Sequence, residues 1–116
     1  MIERPYALVH EHEPSGTVHV SGAAGLDADD VPLTDDRAAV AAAFDHAVAR
    51  LRSIGLDVEH IAKVSYYLAD MEMRTAVDAL FRERLAAVRP ARMVIGVNEL
   101  PLGARALVDV VAYRPT

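Results

Sequence analysis

There is no cysteine in these 116 residues. Disulfides, thiolate metal sites and a cysteine nucleophile are therefore excluded, and a reducing compartment is compatible. Positive charge is also scarce. Lys63 is the single lysine, and 17 acids against 12 bases leave a net charge of −5 with histidine neutral. An acidic chain does not attract phosphate backbones, so nucleic acid is not an expected partner. No apolar run reaches the roughly 18 residues that a membrane helix needs, so no membrane partner is expected. The opening Met1-Ile2-Glu3-Arg4-Pro5-Tyr6 lacks a basic region followed by a long apolar run, which predicts no signal peptide and a cytoplasmic location. Repeats, low-complexity tracts and linkers are missing too, and the length suits one domain over residues 1–116.

What is present is a chain that is 53% apolar, enough for a packed interior. Tyr6 to His12 and Thr17 to Ser21 read as strands, joined by the turn chemistry of Pro14-Ser15-Gly16. Residues 22–33 read as a loop with a short extended piece near Val31 to Leu33. Thr34, followed by Asp35 and Asp36, reads as a helix start. Val40, Phe44, Ala47, Val48, Leu51 and Ile54 then repeat at spacings of three and four, and Gly55 is the expected stop. Ile61 to Leu68 is rich in branched and aromatic residues and reads as a strand. Asp70 is placed to cap a second helix with an apolar face of Met73, Val77, Leu80, Phe81, Leu85 and Val88, and Pro90 lies past its end. Arg92 to Val97 and Ala104 to Tyr113 read as the last strands. The order predicts an α+β fold with both helices on one face of the sheet.

In the two final strands both faces are mostly apolar by the period of two. Arg92, Val94 and Gly96 alternate with Met93, Ile95 and Val97; Ala106, Val108, Val110 and Ala112 alternate with Leu107, Asp109, Val111 and Tyr113. Two helices cover one sheet face, so the other predicts a homo-oligomer that buries it. Arg92 and Asp109 are the charged interruptions. The pattern admits two readings: a structural ion pair at a subunit seam, or an anion-binding guanidinium with a carboxylate nearby. His10, His12 and His19 meet on one hairpin face if His12 pairs with Thr17. That face is a possible zinc or copper site by residue type, but the spacing fixes no closing ligand, and a half-exposed polar face is the expectation, with no metal. His46 and His60 read as surface residues. Gly22-Ala23-Ala24-Gly25 lacks the lysine and hydroxyl of a phosphate loop. Tyr66 and Tyr67 alternate, so at most one of them faces any given cleft.

Several segments, in order, resemble the Rid (YjgF-type) reactive imine/enamine deaminases. They are Pro5-Tyr6, Val20-Ser21-Gly22, Lys63-Val64 through Tyr67-Leu68-Ala69-Asp70-Met71, and Pro90-Ala91-Arg92 followed by Val94-Ile95-Gly96-Val97 and Leu100-Pro101. The resemblance implies a chorismate-mutase-like α+β fold, a homotrimer with clefts between subunits, and hydrolysis of 2-imino or enamine acids to 2-keto acids and ammonia without a cofactor. It assigns Arg92 to the substrate carboxylate, Asp109 to the attacking water, Tyr6 to the cleft wall and Gly22 to a turn that approaches the ligand. The partners implied are a small carboxylate substrate and the chain itself. Several positions depart from the family pattern. Ala7, Ala23, Met93 and Val94 replace polar or small residues, Asp78 stands where an asparagine is common, and Asp109 is one methylene shorter than the usual glutamate, a shortfall of roughly 1.2–1.5 Å. These changes imply a more apolar cleft and a larger or different substrate. Two alternatives stand beside the deaminase: a non-catalytic trimer binding small carboxylates or a partner protein, and a specialised pathway hydrolase on the same scaffold. RNA cleavage, also linked to the family, fits poorly with the acidic balance.

Overall fold

The computed structural model describes residues 4–116. Met1, Ile2 and Glu3, part of the stretch read as lacking a signal peptide, lie outside the described residues. Strands β1 (Val9–His12), β2 (Thr17–Ala24), β3 (Ile61–Leu68), β4 (Ala91–Gly96) and β5 (Ala106–Tyr113) form one sheet in the order β1-β2-β5-β3-β4. Neighbours are antiparallel except β3 and β4, which run parallel. A parallel pair needs a crossover, and helix α2 (Arg74–Leu85) supplies it; helix α1 (Asp36–Arg52) lies between β2 and β3 in sequence.

Both helices pack on one face, as predicted. Val18, Val20, Val64, Tyr66, Leu68, Val108 and Val110 are buried under Val40, Phe44, Leu51, Val77, Leu80 and Leu85. The alanine-rich side of α1 lets it sit close, with Ala39, Ala43 and Ala47 fully buried. Among the described residues, the opposite face has no layer over it. Leu107, Val111 and Met93 are half-buried there, and Ile95 and Tyr113 are exposed.

Several boundaries differ from expectation. The first strand starts at Val9, three residues after Tyr6, although Leu8 and Ala7 still accept hydrogen bonds from the Ser21 N–H (2.9 Å) and hydroxyl (2.7 Å). The second strand runs on to Ala24 because a β-bulge between Val20 and Ala23 absorbs one register step rather than ending the pairing. The cap of α1 is Asp35, not Thr34: its carboxylate accepts the Ala38 N–H over 3.0 Å. Helix α1 ends at Arg52, and Gly55 reverses the chain two residues after the Ser53 cap with φ of 82°, while the Leu56 N–H bonds back to the Leu51 carbonyl over 3.0 Å. Asp70 caps a short 3-10 turn, Met71–Met73, that leads into α2. The last two strands begin and end within one or two residues of the predicted limits.

Candidate functional site

Arg92 sits on the edge strand β4, beside Val64 of β3. Val64 faces the helices, so Arg92 does too, at the point where α2 only partly covers the sheet. The result is an open cleft of about 430 Å³ lined by Asp78, Phe81, Arg82, Ala86 and Arg92. The Arg92 guanidinium lies over the Phe81 ring, 5.1 Å from its centroid, and its Nη1 is 2.9 Å from Asp78 Oδ1. Its side chain retains 25% exposure, and that of Asp78 44%. The partner of the guanidinium is thus Asp78, one turn of α2 before Arg82, and the ion pair opens to the cleft. Tyr66, next but one to Val64, packs edge-on against Phe81 with centroids 6.5 Å apart, and burial pushes its hydroxyl up to about 12.

Asp109 lies elsewhere. It pairs with Ser65, the residue after Val64, so it points to the face away from the helices. The Tyr67 hydroxyl reaches its Oδ2 over 3.5 Å, and burial, then Asp109, raises the Tyr67 pKa. Within one chain, then, Arg92 and Asp109 neither pair nor share a cleft, because the sheet separates them. The two adjacent tyrosines divide likewise: Tyr66 goes to the helical layer and Tyr67 to Asp109.

Tyr6 and Gly22 do come together, in another cleft of about 390 Å³ that also includes His46, Arg50 and Leu102. Tyr6 is 59% exposed at its mouth. Arg50 is a residue that sequence reasoning missed. From α1 it donates through Nη1 to the carbonyls of Ser21 (2.7 Å) and Gly22 (3.4 Å), the backbone groups that the bulge turns out of the ladder. Burial lowers its pKa, with Arg4 adding to the effect. Its only signal in the sequence is a charge flanked by the buried Val48 and Leu51. The hairpin register is the predicted one, His10 opposite His19 and His12 opposite Thr17. His12 Nδ1 lies 2.7 Å from Ser15 Oγ, and among the described residues no three His, Asp or Glu side chains are grouped to hold a metal. His46 is exposed, its Nε2 3.0 Å from the Leu26 carbonyl; His60 is half-buried, its Nδ1 accepting the Asp57 N–H over 3.0 Å. No helix among the described residues is long and apolar enough to cross a membrane.

The architecture defines an α+β protein whose mixed five-stranded sheet carries both helices on one side and a cleft-lining guanidinium on its edge strand. The chain belongs to the Endoribonuclease L-PSP (YjgF/RutC/Rid) family, whose model matches residues 2–114. It is 30% identical over 105 residues to a RutC family protein of Aquifex aeolicus, covering 88% of this chain and 84% of that protein. It is 28% identical over 100 residues to the human 2-iminobutanoate/2-iminopropanoate deaminase, covering 84% and 73% respectively. The fold is that of RidA from the Antarctic bacterium Psychrobacter sp., with a TM-score of 0.86, 21% identity and coverage of 98% of this chain and 92% of that one. The YjgF gene product of E. coli has it as well, with a TM-score of 0.81, 22% identity and coverage of 96% and 89%.

Proposed function

We propose that this protein hydrolyses reactive 2-imino or enamine acids to 2-keto acids and ammonia, in clefts formed between copies of the chain. The observation that carries the reading is the Arg92 guanidinium, which opens into the α2–β4 cleft and is not locked to Asp109. A guanidinium fork over an aromatic ring suits a small planar carboxylate. The human relative's name, a deaminase of such acids, agrees.

The reaction asks little of the protein. A protonated imine, R–C(=NH2⁺)–COO⁻, is already electrophilic. Water adds to its carbon, the C–N bond then breaks, and R–CO–COO⁻ and NH4⁺ leave, with atoms and charge balanced. Arg92 holds the carboxylate, and a carboxylate orients the water. Since Asp109 of the same chain lies across the sheet, and Tyr6 and Gly22 line a separate cleft, the water-orienting carboxylate is read as Asp109 of a second copy, with Tyr6 and Gly22 also reaching the Arg92 cleft from a neighbouring copy. The open apolar face of Leu107, Val111, Met93 and Ile95 supports self-association, with a homotrimer as the expected form. The acidic balance, −5 overall, speaks against RNA as the substrate despite the family's endoribonuclease name.

The test is a trapping assay. An amino-acid oxidase generates the imino acid and semicarbazide captures it. Added protein lowers the captured fraction, and Arg92→Ala reduces kcat/KM by about 30- to 100-fold, the effect of losing a charge-assisted pair. If Arg92→Ala lowers the captured fraction as much as the native chain does, the anchor is wrong. A second reading, a non-catalytic carboxylate-binding protein, is favoured by one observation, the apolar Met93 and Val94 that follow Arg92 in the chain. Ligand binding without turnover would establish it.

A further inference from the structure

The Asp78–Arg92 pair changes what the cleft can hold. A lone guanidinium attracts any carboxylate. Here its Nη1 faces Asp78 Oδ1 at 2.9 Å, while both side chains keep solvent exposure on the cleft side. A ligand carboxylate that docks on the rest of the fork is brought beside a second carboxylate of the same sign. A ligand that carries a positive nitrogen next to its carboxylate meets the opposite situation. Its carboxylate lies on Arg92 and its N–H groups point at Asp78, so that two antiparallel ion pairs close a four-charge ring. In a 2-iminio acid these groups sit on adjacent carbons, a spacing that matches side chains in direct contact. Arg82 also lines the cleft but is exposed, and its charge is screened by water more than that of the contact pair. Phe81 beneath the guanidinium supplies an apolar floor for the carbon skeleton.

Resting on the reading of Arg92 as carboxylate anchor, we propose that Asp78 is a specificity-determining residue that makes this cleft select zwitterionic 2-iminio acids over simple carboxylates. It accepts hydrogen bonds from the substrate's protonated nitrogen and holds the iminium in its electrophilic form next to the water. The same contact is lost when nitrogen leaves. The 2-keto acid product then presents a carboxylate with no compensating cation beside Asp78, so product binds more weakly than substrate. A charged Asp at this place, where the resembling family commonly has asparagine, therefore trades general carboxylate affinity for discrimination by the neighbouring nitrogen.

The experiment uses two non-reacting probes on the intact protein, 2-aminobutyrate and 2-oxobutyrate, with affinities read by calorimetry or NMR titration. In 2-aminobutyrate an ammonium stands where the iminium would. The native chain is expected to prefer the amino acid by about tenfold, the scale of one partly exposed charge-assisted contact. In Asp78→Asn, which keeps the side chain's shape, the preference should shrink to about twofold or reverse, with tighter binding of 2-oxobutyrate. Arg92→Ala should weaken both probes. An unchanged ratio in Asp78→Asn, with both probes still lost in Arg92→Ala, overturns the role of Asp78 and leaves the anchor standing. Undiminished binding of both probes in Arg92→Ala overturns the anchor itself. A native chain that prefers 2-oxobutyrate also overturns the proposal.

Discussion

Mixing two protomers, one lacking Arg92 and the other lacking Asp109, tests whether a single site draws on two copies. The two residues flank one step of β3: Arg92 lies beside Val64, and Asp109 beside Ser65. Successive residues of a strand point to opposite faces, so the guanidinium and the carboxylate leave the sheet in opposite directions and end on the order of 10 Å apart across it. A four-carbon imino acid spans about half that distance, so one substrate cannot reach both groups of one chain. Arg92→Ala and Asp109→Ala are each expected to be nearly inactive in the trapping assay. Unfolded together in equal amounts and refolded, they assemble at random. If each cleft takes Arg92 from one copy and Asp109 from its neighbour, about a quarter of the clefts in a closed ring are complete, and about a quarter of native activity returns. A control sharpens the result. Native chain mixed equally with the double variant gives about a quarter of the activity for shared clefts, and about half if each chain carries its own. Activity no higher than that of the separate variants, from protein that has refolded and reassembled, would refute the shared cleft.

Two further expectations concern the scaffold. Tyr66 is 2% exposed, and burial, its largest influence, raises its hydroxyl from 10 to about 12. The folded chain keeps this proton where the unfolded chain has released it, so the stability is present below pH 10 and is lost as pH rises toward 12, by about 2–3 kcal/mol in all. Urea melts between pH 9 and 11 should show the native chain losing more stability than Tyr66→Phe; parallel losses would contradict the assignment. Gly25 is buried against α1, where an added Cβ would press into the Ala39 carbonyl oxygen, with the Ala39 carbonyl carbon at 3.0 Å. Both sides of that contact are backbone, so Gly25→Ala should cost about 1–3 kcal/mol and lower the urea midpoint. A loss below about 0.5 kcal/mol would show that the loop moves aside freely.

Much of the fold was legible because its signals are local. Helix spacing in α1 and α2, the branched run of β3, and the Pro14-Ser15-Gly16 turn with its His12–Thr17 register depend on neighbours in the chain, and each was found as read. The uncovered apolar face also followed from the period of two in the last strands. Strand ends were less legible: the bulge that carries β2 past Ser21 depends on β5, which lies more than eighty residues away.

The site was legible as residue types but not as an arrangement. Alternation within a strand tells which residues share a face. It does not tell which face of one strand continues which face of another, because that is set by pairing register. The parallel alignment of β4 on β3 and the antiparallel alignment of β5 on the same strand sent Arg92 and Asp109 to opposite sides. Likewise, the sequence determined that Asp78 is acidic and lies on α2, while only the packing of α2 over the edge strand placed its carboxylate on Arg92. Charge, periodicity and turn chemistry are properties of the chain, and they determined the elements and the presence of a guanidinium on the edge strand. Which charges meet is a property of how those elements are paired and stacked, and the tertiary structure alone decided it.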